Sequence, residues 1–248
     1  MNQAGRPTGI RLSKLMAQRG MCSRREADRL IERGHVRVDG QTVTRLGTRI
    51  DPASEIVVTP AARAVQKALL TVLLNKPPGL VSNQPEKGYR EAVSLITRAN
   101  RDTTCARHVE PLPDHRTLHV AGRLDIDSSG LLVLTQDGRI ARQLIGPESN
   151  VEKEYAVRLN KIPSESTLTR LNGEMILDGR HLKPVTVSST GGHTLHFVLT
   201  EGRKRQIRRM CDLVGLTIAS LTRIRIGQVG LGELRRGQWR YLQQDEHF

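Results

Sequence analysis

The stretch GRLDIDSSGLLVLTQDG, residues 122–138, admits two incompatible readings. Counted from Asp125, the oxygen-bearing residues Asp125, Asp127 and Ser129, with Gly130 at the sixth place, follow the opening of an EF-hand calcium loop. Such a loop needs a glutamate at its twelfth position and a helix on each side. Position twelve is Gln136, TLHVAG before the loop alternates like a strand, and residues 131–134 form a continuous apolar run. Calcium is therefore rejected. The stretch reads as a glycine-flanked turn feeding a buried strand, and it makes the surrounding domain α+β rather than a pair of calcium-binding helices.

That turn holds out Asp125, with Arg123 two positions before it. The chain has 39 Lys plus Arg against 25 Asp plus Glu in 248 residues, a net charge of +14, which points to a polyanion such as nucleic acid. A carboxylate on an anion-binding face weakens binding. Asp125 therefore either caps its turn or has chemistry to perform, as nucleophile or base at a sugar or base carbon or as stabiliser of a cationic sugar transition state. Aromatic residues make up only 2% of the chain, so broad base-stacking platforms are excluded and recognition rests on phosphate contacts and arginine.

Outward from the turn, LLTVLLNKPPGLVS reads as a buried strand that ends at Lys76 and the rigid turn Pro77-Pro78-Gly79. Strand patterns recur at 118–121, 131–135, 154–159, 181–188, 194–200 and 221–229, with helical stretches between several of them, which predicts a mixed α+β domain over 69–248. In RKRQIRRMCDLV, residues 203–214, Ile207, Met210, Cys211 and Val214 fall on one helical face and leave Arg205, Arg208 and Arg209 elsewhere. With Arg203, Lys204, Arg223 and Arg225 they place seven positive charges in 23 residues against Asp212 alone, a field that calls for an anion.

The front of the chain, 9–59, reads as a separate helix-helix-hairpin module. Leu12, Leu15 and Met16 mark a helix stopped by Gly20; Ser23-Arg24-Arg25-Glu26 matches a capping box opening a second, with Ala27, Leu30 and Ile31 as its stripe and Gly34 as its end. HVRVDGQTV then reads as a hairpin around Asp39-Gly40. Arg24 and Arg25 stand in a helix first turn, where the macrodipole disfavours cations. A bound phosphate turns that conflict into attraction, whereas single surface arginines are ordinarily just solvated. PAARAVQK carries no strand signal, and 60–68 is read as a linker.

Cys22, Cys105 and Cys211 are odd in number and form no CxxC pair, which fits a reducing compartment. The start MNQAGRPTGIRL lacks a signal-peptide core and no run approaches a membrane span, so a cytoplasmic protein away from membranes is expected. Cys105, His108, His115 and His119 could in principle ligate zinc, but their spacing fits no standard module, and no metal is expected.

Residues 11–43, with SRREADRLIERGHVRVDG at their centre, resemble the small RNA-binding domain named after ribosomal small-subunit protein four. The turn GRLDIDSSGLLVLTQDG, preceded by LLNKPPGLVS and followed by EKEYAVRL and LTEGRKRQIRRMCDLVG, resembles the RsuA-type ribosomal RNA pseudouridine synthases over residues 11–242. The resemblance implies a catalytic domain with a mixed, mainly antiparallel sheet and isomerisation of uridine without cofactor or metal. It places Asp125 as the catalytic carboxylate, with nucleophile and base both open. It makes Tyr155 the aromatic on which the flipped base rests, a residue that would otherwise be an ordinary half-buried strand tyrosine. Arg208 becomes the basic partner that keeps Asp125 ionised, and Ile207 the apolar contact to the base. Arg123 fills the space the nucleotide leaves, Lys76 supports the site, and Arg24, Arg25 and Arg205 meet the RNA. Gly122 and Gly130 serve backbone shape.

The expected partner is ribosomal RNA or a partly assembled ribosomal subunit, met by a monomer, and EGRKRQIRRMCDLVG leans toward the large-subunit members. The stretch 100–117 is longer than the family's usual one and receives no role. A non-catalytic RNA-binding assembly factor would account for the charge and the front module. It would not account for GRLD, EKEY and RQIRR together.

Overall fold

The computed structural model describes residues 9–83, 88–104 and 112–248. They divide into two compact units, Met1–Leu70 with Gln136–Arg142, and Thr71–Thr135 with Gln143–Phe248.

In the smaller unit, β1 (Ile10–Arg11) leads into α1 (Leu12–Gln18) and α2 (Arg24–Glu32). The Ser23 hydroxyl accepts from the Glu26 N–H at 3.2 Å and the Glu26 carboxylate accepts from the Ser23 N–H at 3.4 Å, so the capping box forms as the sequence predicts. Strand β2 (Val36–Val38) pairs with β3 (Gln41–Thr42) across Asp39 and Gly40, whose φ values of 47° and 81° give the left-handed turn of a two-residue hairpin. Next come β4 (Arg49–Ile50), which pairs with β1, and β5 (Ile56–Val58), which pairs with the other side of β2. Leu12, Met16, Ala27, Ile31, Val36 and Val58 fill one core.

The segment 60–68, expected as a linker, is helical over most of its length. Pro60–Lys67 forms α3, with Thr59 before it and Pro60 at the first helical position, where a missing N–H costs nothing. Its buried face is Ala62 and Gln66, too small and too polar to register as hydrophobic periodicity. The Gln66 amide donates to Glu26 Oε1 at 2.8 Å and to the Met21 carbonyl at 3.2 Å.

The larger unit is built on a nine-stranded sheet. In chain order its strands are β6 (Thr71–Lys76), β7 (His119–Val120), β8 (Ser129–Thr135), β9 (Lys153–Leu159), β12 (Thr186–Ser189), β13 (Thr194–Leu199), β14 (Ile218–Ile226), β15 (Val229–Gly230) and β16 (Trp239–Tyr241). The spatial order is β12-β13-β9-β14-β8-β6-β16, with β7 beside β8 and β15 beside β14. Every pairing is antiparallel except that of β14 with β8, which is parallel through Thr222↔Ser129 and Arg223↔Gly130. Helix α4 (Gly138–Ile145) begins within the Gln136–Arg142 segment of the smaller unit, helices α5 (Glu165–Asn172) and α6 (Gln206–Leu213) lie between strands in the chain, and β10 (Ile176–Leu177) with β11 (Arg180–His181) forms a separate hairpin.

The strand expected over 181–188 is interrupted, ending at His181 and resuming at Thr186, because Pro184 supplies no N–H to a ladder. Strands β6 and β8 are buried along their whole length, which is why their centres, residues 72–74 and 131–134, read as continuous apolar runs rather than alternations. One core joins Val157, Phe197, Leu199, Met210 and Cys211; a second joins Leu74, Ile96, Leu132, Leu134 and Trp239. Tyr155 packs against both. Among the described residues no helix is long and apolar enough to cross a membrane.

Candidate active site

The site forms where β8 meets β14. Gly130 has φ +101°, and a Cβ there would lie 2.2 Å from the carbonyl oxygen of Arg223, so only glycine lets the two strands meet. The loop that carries Asp125 enters this junction with its backbone fixed on both sides. The Leu124 N–H donates to Ser82 Oγ at 2.8 Å and the Ser82 hydroxyl donates back to the Leu124 carbonyl at 2.6 Å. The Gly79 N–H, from the Pro77-Pro78-Gly79 turn, donates to the Ile126 carbonyl at 2.7 Å. Lys76 is fully buried, and its ammonium donates to the carbonyls of Ser128 and Pro77 at 2.9 Å each. Burial pushes that ammonium down to about 8; the Arg223 charge adds to the depression, while Asp127 and Asp125 oppose it. The expected supporting role of Lys76 thus has a geometry, since it ties the turn to the Asp125 loop.

Arg223 completes the frame, and the sequence reading missed it as an individual residue by counting it only within a charge cluster. It is 2% exposed; it donates to the carbonyls of Leu131 at 2.7 Å and Gly122 at 2.9 Å, and more weakly to the Arg123 carbonyl and the Tyr155 hydroxyl, both at 3.5 Å. Its guanidinium carbon lies 5.9 Å from the Tyr155 ring centroid. A signal was available: Arg223 is a charge in the middle of a strand whose Leu221, Ile224 and Ile226 are apolar.

A cleft of about 410 Å³ opens beside this frame, within the range of small-ligand sites. Arg123, Asp125, Tyr155, Arg205, Ile207 and Arg208 all line it, so six of the expected site residues converge. Asp125 is the single carboxylate in the lining among the described residues, against five basic side chains when Arg203 and Lys204 are added. Asp125 is half-buried, Ile207 is buried, and Arg123 is exposed. Arg24 and Arg25 are exposed on the first turn of α2, in the smaller unit.

Two expectations need correction. Arg208 does not pair with Asp125; its Nη2 stands 3.1 Å from Asp127 Oδ1 and 3.2 Å from the Asp127 carbonyl. Arg205 Nη1 lies 3.1 Å from Oδ2 of the same carboxylate. The turn sets this choice, because it brings the backbone and the side chain of Asp127 together to the start of α6. The basic cluster is also less bare than its local sequence implies. Arg209 holds Asp178 at 2.6 Å, Arg203 holds Glu201 at 3.3 Å, and Arg225 holds Glu154 at 2.7 Å and Glu152 at 3.1 Å. Glu201 stands two residues before the counted window, and Asp178, Glu152 and Glu154 come from other segments, so counting acids between 203 and 225 could not find them.

Burial pushes the thiols of Cys22 and Cys211 up to about 12, which removes both as nucleophiles near neutral pH. Among the described residues no three His, Cys, Asp or Glu side chains are grouped to hold a metal ion. Of the four residues weighed for zinc, Cys105 and His108 lie outside the described residues, as does part of the 100–117 stretch.

Residues 70–213 match the family model described as RNA pseudouridylate synthase, and residues 10–56 match that of the S4 domain. An uncharacterized RNA pseudouridine synthase of Mycobacterium tuberculosis is 37% identical over 97% of this chain and 92% of its own length. The dual-specificity RNA pseudouridine synthase RluF of Escherichia coli is 32% identical over 96% of this chain and 77% of its own. A crystal structure of a pseudouridylate synthase superposes with a TM-score of 0.63 at 26% identity, covering 95% of this chain and 97% of that one. An enzyme-family match that begins at β6 and runs through the Asp125 turn, Tyr155 and α6 sets aside the reading as a mere binding factor, and the chain belongs to the RNA pseudouridylate synthase family, in its S4-bearing, RsuA-type branch.

Proposed function

We propose that this RNA pseudouridine synthase acts on one defined uridine of ribosomal RNA, more specifically of the large subunit, with Asp125 as its catalytic carboxylate. The observation that carries the assignment is the cleft lining, in which Asp125 is the single carboxylate among the described residues, with Tyr155 and several arginines lining the same cleft. In the reaction the C1′–N1 bond of the uridine breaks, the uracil turns, C1′ bonds to C5, the C5 proton leaves and N1 takes up a proton; the product is an isomer and no co-reactant is consumed. Asp125 serves at the sugar as nucleophile, or as base for the proton that must leave. The uridine must first leave its stack, after which Tyr155 offers the flipped base a ring and Ile207 an apolar edge, while Arg123 occupies the vacated space.

Lys76 and Arg223 hold the Asp125 loop and Tyr155 in register and do not touch substrate. Arg24 and Arg25 meet phosphates from the smaller unit, which with α3 extends the RNA-binding part past 59 toward the start of the catalytic part. The large-subunit preference rests on the resemblance of EGRKRQIRRMCDLVG, and the protein is proposed to work as a cytoplasmic monomer on ribosomal RNA or on a partly assembled subunit.

Unmodified transcripts of both ribosomal RNAs, labelled with tritium at uridine C5, test the proposal. Tritium release from the large-subunit transcript at one position supports it. Release from neither, or only from an unrelated RNA, contradicts it; since the relative RluF is named dual-specificity, such an RNA belongs in the assay.

A further inference from the structure

Asp127 sits between two arginines that line the cleft, although Asp127 itself does not line it. Arg205 Nη1 reaches both carboxylate oxygens, at 3.1 and 3.3 Å, and Arg208 Nη2 reaches Oδ1 at 3.1 Å. The pair is open to water: the side chains of Arg205 and Asp127 are 44% and 47% exposed. An ion pair so exposed is weak and readily exchanged. Neither guanidinium is used up by this contact, since each presents five N–H groups and the buried Nε of Arg208 has no hydrogen-bond partner among the described residues. The backbone of Arg205 is left-handed at φ 53°, rare for a bulky side chain. That conformation holds Arg205 at the head of α6, toward the cleft and Asp127.

A carboxylate and a phosphodiester present the same feature to a guanidinium, two oxygens sharing one negative charge. Any RNA that delivers a uridine to Asp125 brings such a phosphodiester to the cleft lined by Arg205 and Arg208. We infer that Arg205 and Arg208 form a seat for one backbone phosphodiester of the RNA, and that Asp127 is its resident placeholder, exchanged for the phosphate when RNA enters. The inference rests on the proposed reading of the cleft and adds a binding subsite to it. Arg209 provides the contrast: it grips Asp178 with two bonds, at 2.6 and 2.9 Å, and lies outside the cleft lining.

The test measures equilibrium binding of the full chain to an oligouridylate and to the same oligomer with uncharged methylphosphonate linkages. Asp127→Asn and Asp127→Ala are expected to bind the phosphodiester probe about threefold tighter or more, because a competing anion is gone. The gain should vanish on the uncharged probe and in an Arg205→Ala background, and Asp178→Asn should show none. Unchanged or weaker binding by both Asp127 variants overturns the inference. An equal gain on the uncharged probe, or the same gain from Asp178→Asn, overturns it as well, since general charge removal would then suffice. Binding is read without turnover, so absence of pseudouridine in ribosomal RNA would sink the proposed function and leave this result standing, and the reverse holds too.

Discussion

Gly130 and Arg223 are Cα partners where β8 and β14 pair in parallel, and the Arg223 carbonyl oxygen lies 2.2 Å from where a Gly130 Cβ would stand. The same Arg223 anchors the loop around Asp125 through the carbonyls of Gly122 and Leu131. Strand geometry and site geometry therefore share one point.

Gly130→Ala is accordingly expected to destabilise the larger unit by about 3 kcal/mol or more, since backbone must move and φ +101° is strained for any side chain. Gly122→Ala, whose Cβ would meet the Ile145 side chain at an ordinary 3.5 Å, carries the strain of φ +103° without the clash and should cost less. Denaturant midpoints of the two variants compare them. Equal losses would mean that the close approach to Arg223 is not what requires glycine.

Lys76 gives stability a pH dependence of definite sign. Its ammonium is depressed from 10.5 to about 8 in the folded protein, so between those values the unfolded chain binds more protons and stability rises with pH. Below about 8 both states are charged and the burial penalty is carried in full. Lys153, also depressed to about 8 by burial, contributes in the same window, so the reading must be a difference. Wild-type protein should gain stability relative to Lys76→Met as pH goes from 8 to 10.5. Parallel pH profiles for the two proteins would show that Lys76 is not held in a desolvated place.

Arg24 and Arg25 break the usual charge preference of a helix first turn and remain exposed there. Each alanine substitution should weaken RNA binding and lower the slope of log K against log salt by about 0.7 to 0.9. Titrations at several salt concentrations measure it, and an unchanged slope would remove these arginines from the RNA contact.

Much of this was legible in the sequence because the signals are local. The capping box at Ser23 and Glu26, the Asp39-Gly40 turn and the apolar runs of β6 and β8 each depend on neighbours a few residues away. Convergence of Asp125, Tyr155, Ile207 and Arg208 on one cleft followed from the resemblance, not from periodicity. What escaped depends on distance in the chain. Whether Arg208 meets Asp125 or Asp127 is decided by a turn that sets one of two nearby carboxylates at the head of α6. The neutralising partners Asp178 and Glu154 arrive from other elements, and α3 hides its buried face in Ala62 and Gln66.

The central claim is that Asp125 is the reacting carboxylate, and turnover by Asp125→Asn at saturating RNA tests it most directly. Asparagine keeps the size and most of the hydrogen bonding but removes the charge and the nucleophile. The loop should stay in place, because its bonds to Ser82, Lys76 and Gly79 use backbone atoms of Leu124, Ser128 and Ile126. Pseudouridine formation in ribosomal RNA should therefore fall below detection while RNA affinity holds or rises. Substantial pseudouridine formation by folded Asp125→Asn would contradict the account.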